Sequence, residues 1–196
     1  MEPFFLVNVG RGEVLAPLSA ERAEAVLHWA SRLNGPPGSG QLVVTTTEAP
    51  HIRRLIAQRR RHHPPNGDGE RPSHTSRGAG IRDGNGVMFI SHTGEICPSG
   101  FLELSAGNVR ARDIVEAYRA DPLFTRLRDP EQFEGRCGRC EFHWVCGGSR
   151  ARAYVRAGSP FAEDPLCTYV LRRSGRESRR AGSSSHYRKS ASDDHR

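Results

Sequence analysis

Four of the chain's five cysteines fall in one stretch, as Cys137, Cys140, Cys146 and Cys167 in a C-x2-C-x5-C-x20-C spacing. Thiolate sulfur is the ligand that soft metals and iron–sulfur clusters select. Two cysteines separated by two residues can both turn toward one centre. Gly135, Gly138, Gly147 and Gly148 punctuate the stretch, and glycine accepts backbone angles that other residues resist. Amide N–H groups freed at such turns can point at sulfur and tune a bound centre. A local trio and one distant fourth cysteine predict a small loop-wrapped metal site closed by a later segment. No N-terminal apolar signal stretch directs the chain to an oxidising compartment, so disulfides are not expected. Structural zinc fits four thiolates as well as a cluster does. His143, between Cys140 and Cys146, could even replace one sulfur in a mixed zinc site. Spacing alone leaves zinc and iron–sulfur open.

Beyond the spacing, residues 86–169 resemble the C-terminal SPASM-type domain of radical SAM enzymes, which modify peptides or build heme- and quinone-type cofactors. The resemblance rests on GVMFISHTGEICPSGFLEL, AGNVR, DIVEAYRADPLFTRLRD, GRCGRCEFHWVCGGSRARAY and EDPLCTY. In that family C-x2-C-x5-C-x3-C is followed by a distant cysteine. The first three and the distant one bind one auxiliary 4Fe–4S cluster, which maps onto Cys137, Cys140, Cys146 and Cys167. The remaining family cysteines hold a second cluster. Here the x3-C position is Arg150 and only Cys97 stands upstream, so the resemblance implies one auxiliary cluster, with Cys97 a free thiol.

Positioning these sulfurs requires elements on both sides of a polar stretch. Residues 3–9 read as a short strand ended by Gly10-Arg11-Gly12. That motif could offer amides to an anion, although an ordinary strand-to-loop turn is the expectation. Ser19 is placed to cap a helix over about 20–33 with one apolar face. Residues 41–46 read as a second strand, and a helix follows from about Ala49-Pro50 to Arg60. This β-α-β-α order predicts parallel strands joined by a crossover. It resembles the last units of a radical SAM partial barrel, through FFLVNVGRG and VVTTTEAPHIRR. His51, His62 and His63 are expected to be solvated rather than ligands.

Residues 63–85 read as a flexible linker. The segment 86–170 follows as the iron–sulfur unit, with a β-hairpin around His92-Thr93-Gly94 and helices over 113–120 and 122–128 split by Asp121-Pro122. Ser149 to Arg156 reads as another helix with Arg150 and Arg152 on its polar side, either as solvated surface charges or as charges near a cluster that raise its potential or hold a substrate carboxylate. Glu163-Asp164-Pro165 sets a turn before Cys167. Residues 171–196 are Ser/Arg-rich and expected to be disordered. The fold class expected is α/β to α+β: remnant barrel units over 1–62 followed by a small hairpin-plus-helices SPASM-like domain.

Charge adds little to this reading. The formal net charge is +7 over 196 residues. Residues 171–196 hold eight Arg or Lys against three Asp or Glu, which leaves the remainder near neutrality. No basic face with interleaved aromatics points to nucleic acid, and no apolar run reaches membrane-spanning length. A cytoplasmic protein is the expectation. The C-x3-C-x2-C loop that holds the catalytic cluster of radical SAM enzymes occurs nowhere in the sequence. The resemblance therefore implies S-adenosyl-L-methionine cleavage only if a missing N-terminal region or a SAM-cleaving partner chain completes the site. A fragment or accessory chain is expected, acting on a peptide or in cofactor maturation, with its cluster serving electron transfer or substrate engagement. A zinc-stabilised protein- or RNA-interaction module is the alternative.

Overall fold

The computed structural model describes residues 2–33, 44–62 and 81–171. The side chains of residues 60 and 62 lie outside the description, as do residues 63–80, including His63, and the tail 172–196. The helix expected from Ser19 forms as α1, Ala20–Leu33. The Ser19 hydroxyl accepts the amide of Arg22 at 3.3 Å, which satisfies one of the orphan donors of a helix start. Ala23, Leu27 and Ala30 bury one face of α1. Helix α2, His51–His62, packs on that face through Ile52 and Leu55. An ion pair of Arg54 with Glu24 at 2.6 Å joins the two helices.

The N-terminal segment and Thr47 meet in a single parallel bridge, Phe4 with Thr47. The Phe5 amide donates to the Thr47 carbonyl at 3.1 Å and the Thr47 amide to Pro3 at 3.3 Å. The expected strands over 3–9 and 41–46 are thus represented by one bridge, and residues 41–43 lie outside the description. Gly10–Gly12 form a short 3-10 turn.

Strands β1, Phe89–Ile90, and β2, Ile96–Cys97, pair antiparallel, Phe89 opposite Cys97 and Ile90 opposite Ile96. Helices α3, Ile114–Ala120, and α4, Pro122–Arg128, follow. Asp113 and Asp121 each cap the next helix with a carboxylate oxygen, and Pro122 occupies the first turn of α4. Its missing N–H costs nothing there because that donor has no helical partner. After α5, Gly135–Arg139, comes α6, Arg150–Ala157, capped by Ser149 and ended at Gly158 in the left-handed region.

Apolar burial ties the early and late segments together. Leu166 lies in one core cluster with Phe5, Leu27 and Val44. Val7 lies in another with Leu127, Phe133 and Phe161. Residues 81–85, which read as the end of a linker, are built into this core: Arg82 and Asp83 are buried. The Asp83 carboxylate accepts the amides of Arg150 at 2.9 Å and Ala151 at 3.0 Å, placing an anion at the positive end of α6. Among the described residues no helix is long and apolar enough to cross a membrane.

Glu48 occupies the left-handed region at φ 57, where a side chain is strained. Its carboxylate accepts the Ser149 hydroxyl at 2.6 Å. Burial first, then the charge of Asp83, push its pKa up to about 7. The folded state therefore holds this proton where the unfolded chain releases it. Stability is fully present below about pH 4.5, falls as pH rises toward 7, and stays lowered above that. Glu48→Gln keeps an acceptor for Ser149 and removes the buried charge. It is expected to stabilise the protein by ~2 kcal/mol at pH 8 and to be neutral at pH 4. Urea unfolding at the two pH values checks this.

Candidate metal centre

Cys137, Cys140, Cys146 and Cys167 all line one cavity, together with His51, Arg54, Arg136, His143 and the Gly147-Gly148 turn. The elements that bring them there are local. Cys137 sits on α5, Cys140 directly ends that helix, and Cys146 precedes the glycine pair. The turn before Cys167 is pinned by Asp164, whose carboxylate accepts the amides of Ser149 at 2.7 Å and Leu166 at 3.0 Å. Thus one buried carboxylate joins the loop after Cys146 to the segment that delivers Cys167.

Each sulfur also meets one backbone amide. The N–H of Asp164 donates to Cys137 Sγ at 3.4 Å and that of Phe142 to Cys140 Sγ at 3.4 Å. The amides of Gly148 and Tyr169 do the same for Cys146 and Cys167. Three of the four donors lie two residues beyond the cysteine they serve. Burial nevertheless dominates: it pushes the Cys146 thiol up to about 12, Cys167 up to about 11, and Cys140 upward. Free thiols of this kind stay protonated near neutrality. Becoming ligands requires proton loss coupled to metal binding.

The surroundings are cationic. Arg54 is buried and lies over the Tyr169 ring at 5.0 Å. Arg136 donates to the Cys167 carbonyl at 2.8 Å. Burial, followed by the charge of Arg150, lowers the pKa of Arg82 to about 10. Four soft donors, an amide on each and arginines around them make a donor set suited to a thiolate-bound anionic centre. Among the described residues, no group of three or more His, Cys, Asp or Glu forms a ready cage for a metal ion.

Two glycines are required by contact. A Cβ on Gly138 would stand 1.9 Å from the Phe133 carbonyl oxygen. On Gly148, at φ +68, it would meet Arg150 Nη2 at 2.6 Å and Asp164 Cβ at 2.8 Å. Gly148→Ala combines left-handed strain with overpacking and is expected to cost at least ~2 kcal/mol, read as a lowered denaturation midpoint.

Several residues stand otherwise than their sequence context predicts. His51 is not solvated: it is 1% exposed, lines the cavity, and its Nε2 is 3.3 Å from Asp164 Oδ2. Of the two readings of Arg150 and Arg152, surface charges or neighbours of a cluster, their burial rules out the first. Arg152 pairs with Asp164 at 3.0 Å and reaches the carbonyls of Leu6 and Glu48. His143 Nδ1 lies 3.2 Å from the Gly138 carbonyl. Cys97 is buried on β2 and is not among the residues lining the cavity.

No protein-family model matches the chain. It is 40% identical over 174 residues to the AdoMet-dependent heme synthase of Oleidesulfovibrio alaskensis, covering 87% of this chain and 44% of that protein. It is 39% identical over 175 residues to the AdoMet-dependent heme synthase of Nitratidesulfovibrio vulgaris, covering 87% of this chain and 46% of that protein. The pre-heme d1 synthase of Dinoroseobacter shibae is 35% identical over 106 residues, 52% of this chain and 26% of that protein. The chain spans a little under half the length of the heme synthases it matches. Over most of its own length it is thus similar to AdoMet-dependent heme synthases, which supports a radical SAM-type protein.

Proposed function

We propose that Cys137, Cys140, Cys146 and Cys167 bind one auxiliary 4Fe–4S cluster, in a chain that serves as the SPASM-type part of a radical SAM enzyme of heme-type cofactor maturation. The observation that carries this reading is the single cavity lined by all four cysteines. A bound cluster supplies one-electron chemistry there. The chain's own residues hold it: the glycine pair turns the backbone beside Cys146, four amides face the sulfurs, and Asp164 fixes the approach of Cys167. The relatives' names favour cofactor maturation over peptide modification. The three-cysteine loop that cleaves SAM is not in this sequence; in this reading it is supplied from outside these residues, on the same polypeptide or a partner.

Anaerobic reconstitution of the full chain with ferrous iron and sulfide tests the proposal. About four irons and four sulfides per chain, with brown colour, are expected. Colourless protein that rejects iron and retains about one zinc would replace the cluster with a structural zinc site.

A further inference from the structure

Arg150 is 0% exposed at the start of α6. Its Nη1 donates to the carbonyls of Pro160 at 3.0 Å and Ala162 at 2.7 Å, and its Nε to Gly148 at 3.3 Å. Its Nη2 stands 3.5 Å from Cys137 Sγ. The guanidinium carbon lies over the Phe133 ring at 4.4 Å. These partners are carbonyls, a ring and a sulfur. Among the described residues, Arg150 makes no ion pair with a carboxylate, unlike its neighbour Arg152. A buried charge without a counter-ion is strongly unfavourable. Among these described partners of the guanidinium, the Cys137 sulfur is the one able to carry negative charge. Arg150 also occupies the position where the cysteine pattern it resembles would place a further thiol.

Resting on the iron–sulfur reading above, we propose that Arg150 is a positioning residue: it fixes one positive charge against the Cys137 sulfur and so raises the reduction potential of the bound centre. An external one-electron donor, the mediator in the test below, would add one electron to the centre when it is bound. The centre's negative charge then grows by one, and a cation held against a ligand sulfur favours the reduced form. The carbonyls of Pro160, Ala162 and Gly148 hold the fork so that it faces the sulfur.

The test is a mediated electrochemical titration of the reconstituted full chain, with iron content measured on every sample. In Arg150→Met, the reduced-to-oxidised ratio at a fixed poise is expected to fall at least ~10-fold, or 59 mV for a one-electron couple. Arg150→Lys keeps the charge and should lie within ~3-fold of the parent, a change smaller than the one-decade step. An unchanged potential in Arg150→Met at full iron content overturns the proposal, as does an equal fall in Met and Lys variants. Should the Met variant not retain iron, Arg150→Gln takes its place. Iron retained by Lys but by neither Met nor Gln would show the charge governing occupancy rather than potential and overturn the proposal. Loss of iron in all three variants would reduce Arg150 to packing and overturn it. An unmutated chain that takes up no iron removes the underlying reading instead, which keeps the two failures apart.

Discussion

Cys146→Ser is expected to strip the reconstituted chain of its iron, while Cys97→Ser leaves the iron content unchanged. The exchange is nearly isosteric and replaces a soft donor by a hard one. Cys146 is buried, followed directly by the Gly147-Gly148 turn, and its sulfur faces the amide of Gly148. A serine oxygen there keeps the amide contact and loses the affinity for iron. Losing a direct ligand should exceed the roughly 10–100-fold drop in metal affinity that an outer-shell change produces. Cys97 is also buried, but on β2 and not among the cavity-lining residues. The comparison therefore separates ligation from the general effect of removing a buried thiol. Iron analysis of the two variants beside the parent checks it. Equal iron in Cys146→Ser and the parent would remove Cys146 from the site.

The second large effect belongs to Asp164, a 0% exposed carboxylate. It pairs with Arg152 at 3.0 Å, faces His51 at 3.3 Å and accepts the amides of Ser149 and Leu166. Burial alone would raise its pKa, but His51 and Arg152 together hold it well below the usual carboxylate range. Asp164→Asn keeps the shape and removes the charge, leaving the buried guanidinium of Arg152 without its counter-ion. Breaking a buried pair from one side costs about 3–5 kcal/mol. For a chain of this size that corresponds to a fall in melting temperature of roughly 10 °C. Because the same carboxylate links the Ser149 loop to the segment carrying Cys167, iron content should fall with stability. A melting temperature within a degree or two of the parent would show that the Arg152–Asp164 pair does not hold these segments together.

What local pattern encodes, the chain displayed openly. Asp121-Pro122 marks the break between α3 and α4 because proline acts within a turn of where it stands. Ser149 announces α6 just as locally. The apolar spacing of α1 is visible because one helix face must be buried. His51 was not legible, since a histidine in an arginine-rich segment reads as solvated, and for Arg150 and Arg152 the sequence left surface charge and cluster neighbour level. Their partners lie far off in sequence: the Asp83 carboxylate reaches the Arg150 amide across 67 residues, and Arg152 reaches Glu48 across 104. Such contacts leave no periodic trace. The polar, glycine-rich context of residues 81–85 likewise hid a carboxylate that binds the start of α6. For the cysteines, spacing suggested convergence, and the chain brings all four to one cavity. The metal proposed for them is not encoded in spacing.

Diffraction at the iron edge from anaerobically reconstituted crystals tests the central assignment most directly. A compact group of iron peaks bounded by the sulfurs of Cys137, Cys140, Cys146 and Cys167 is the predicted result. Iron bound elsewhere, or a cluster that Cys167 does not touch, would contradict it.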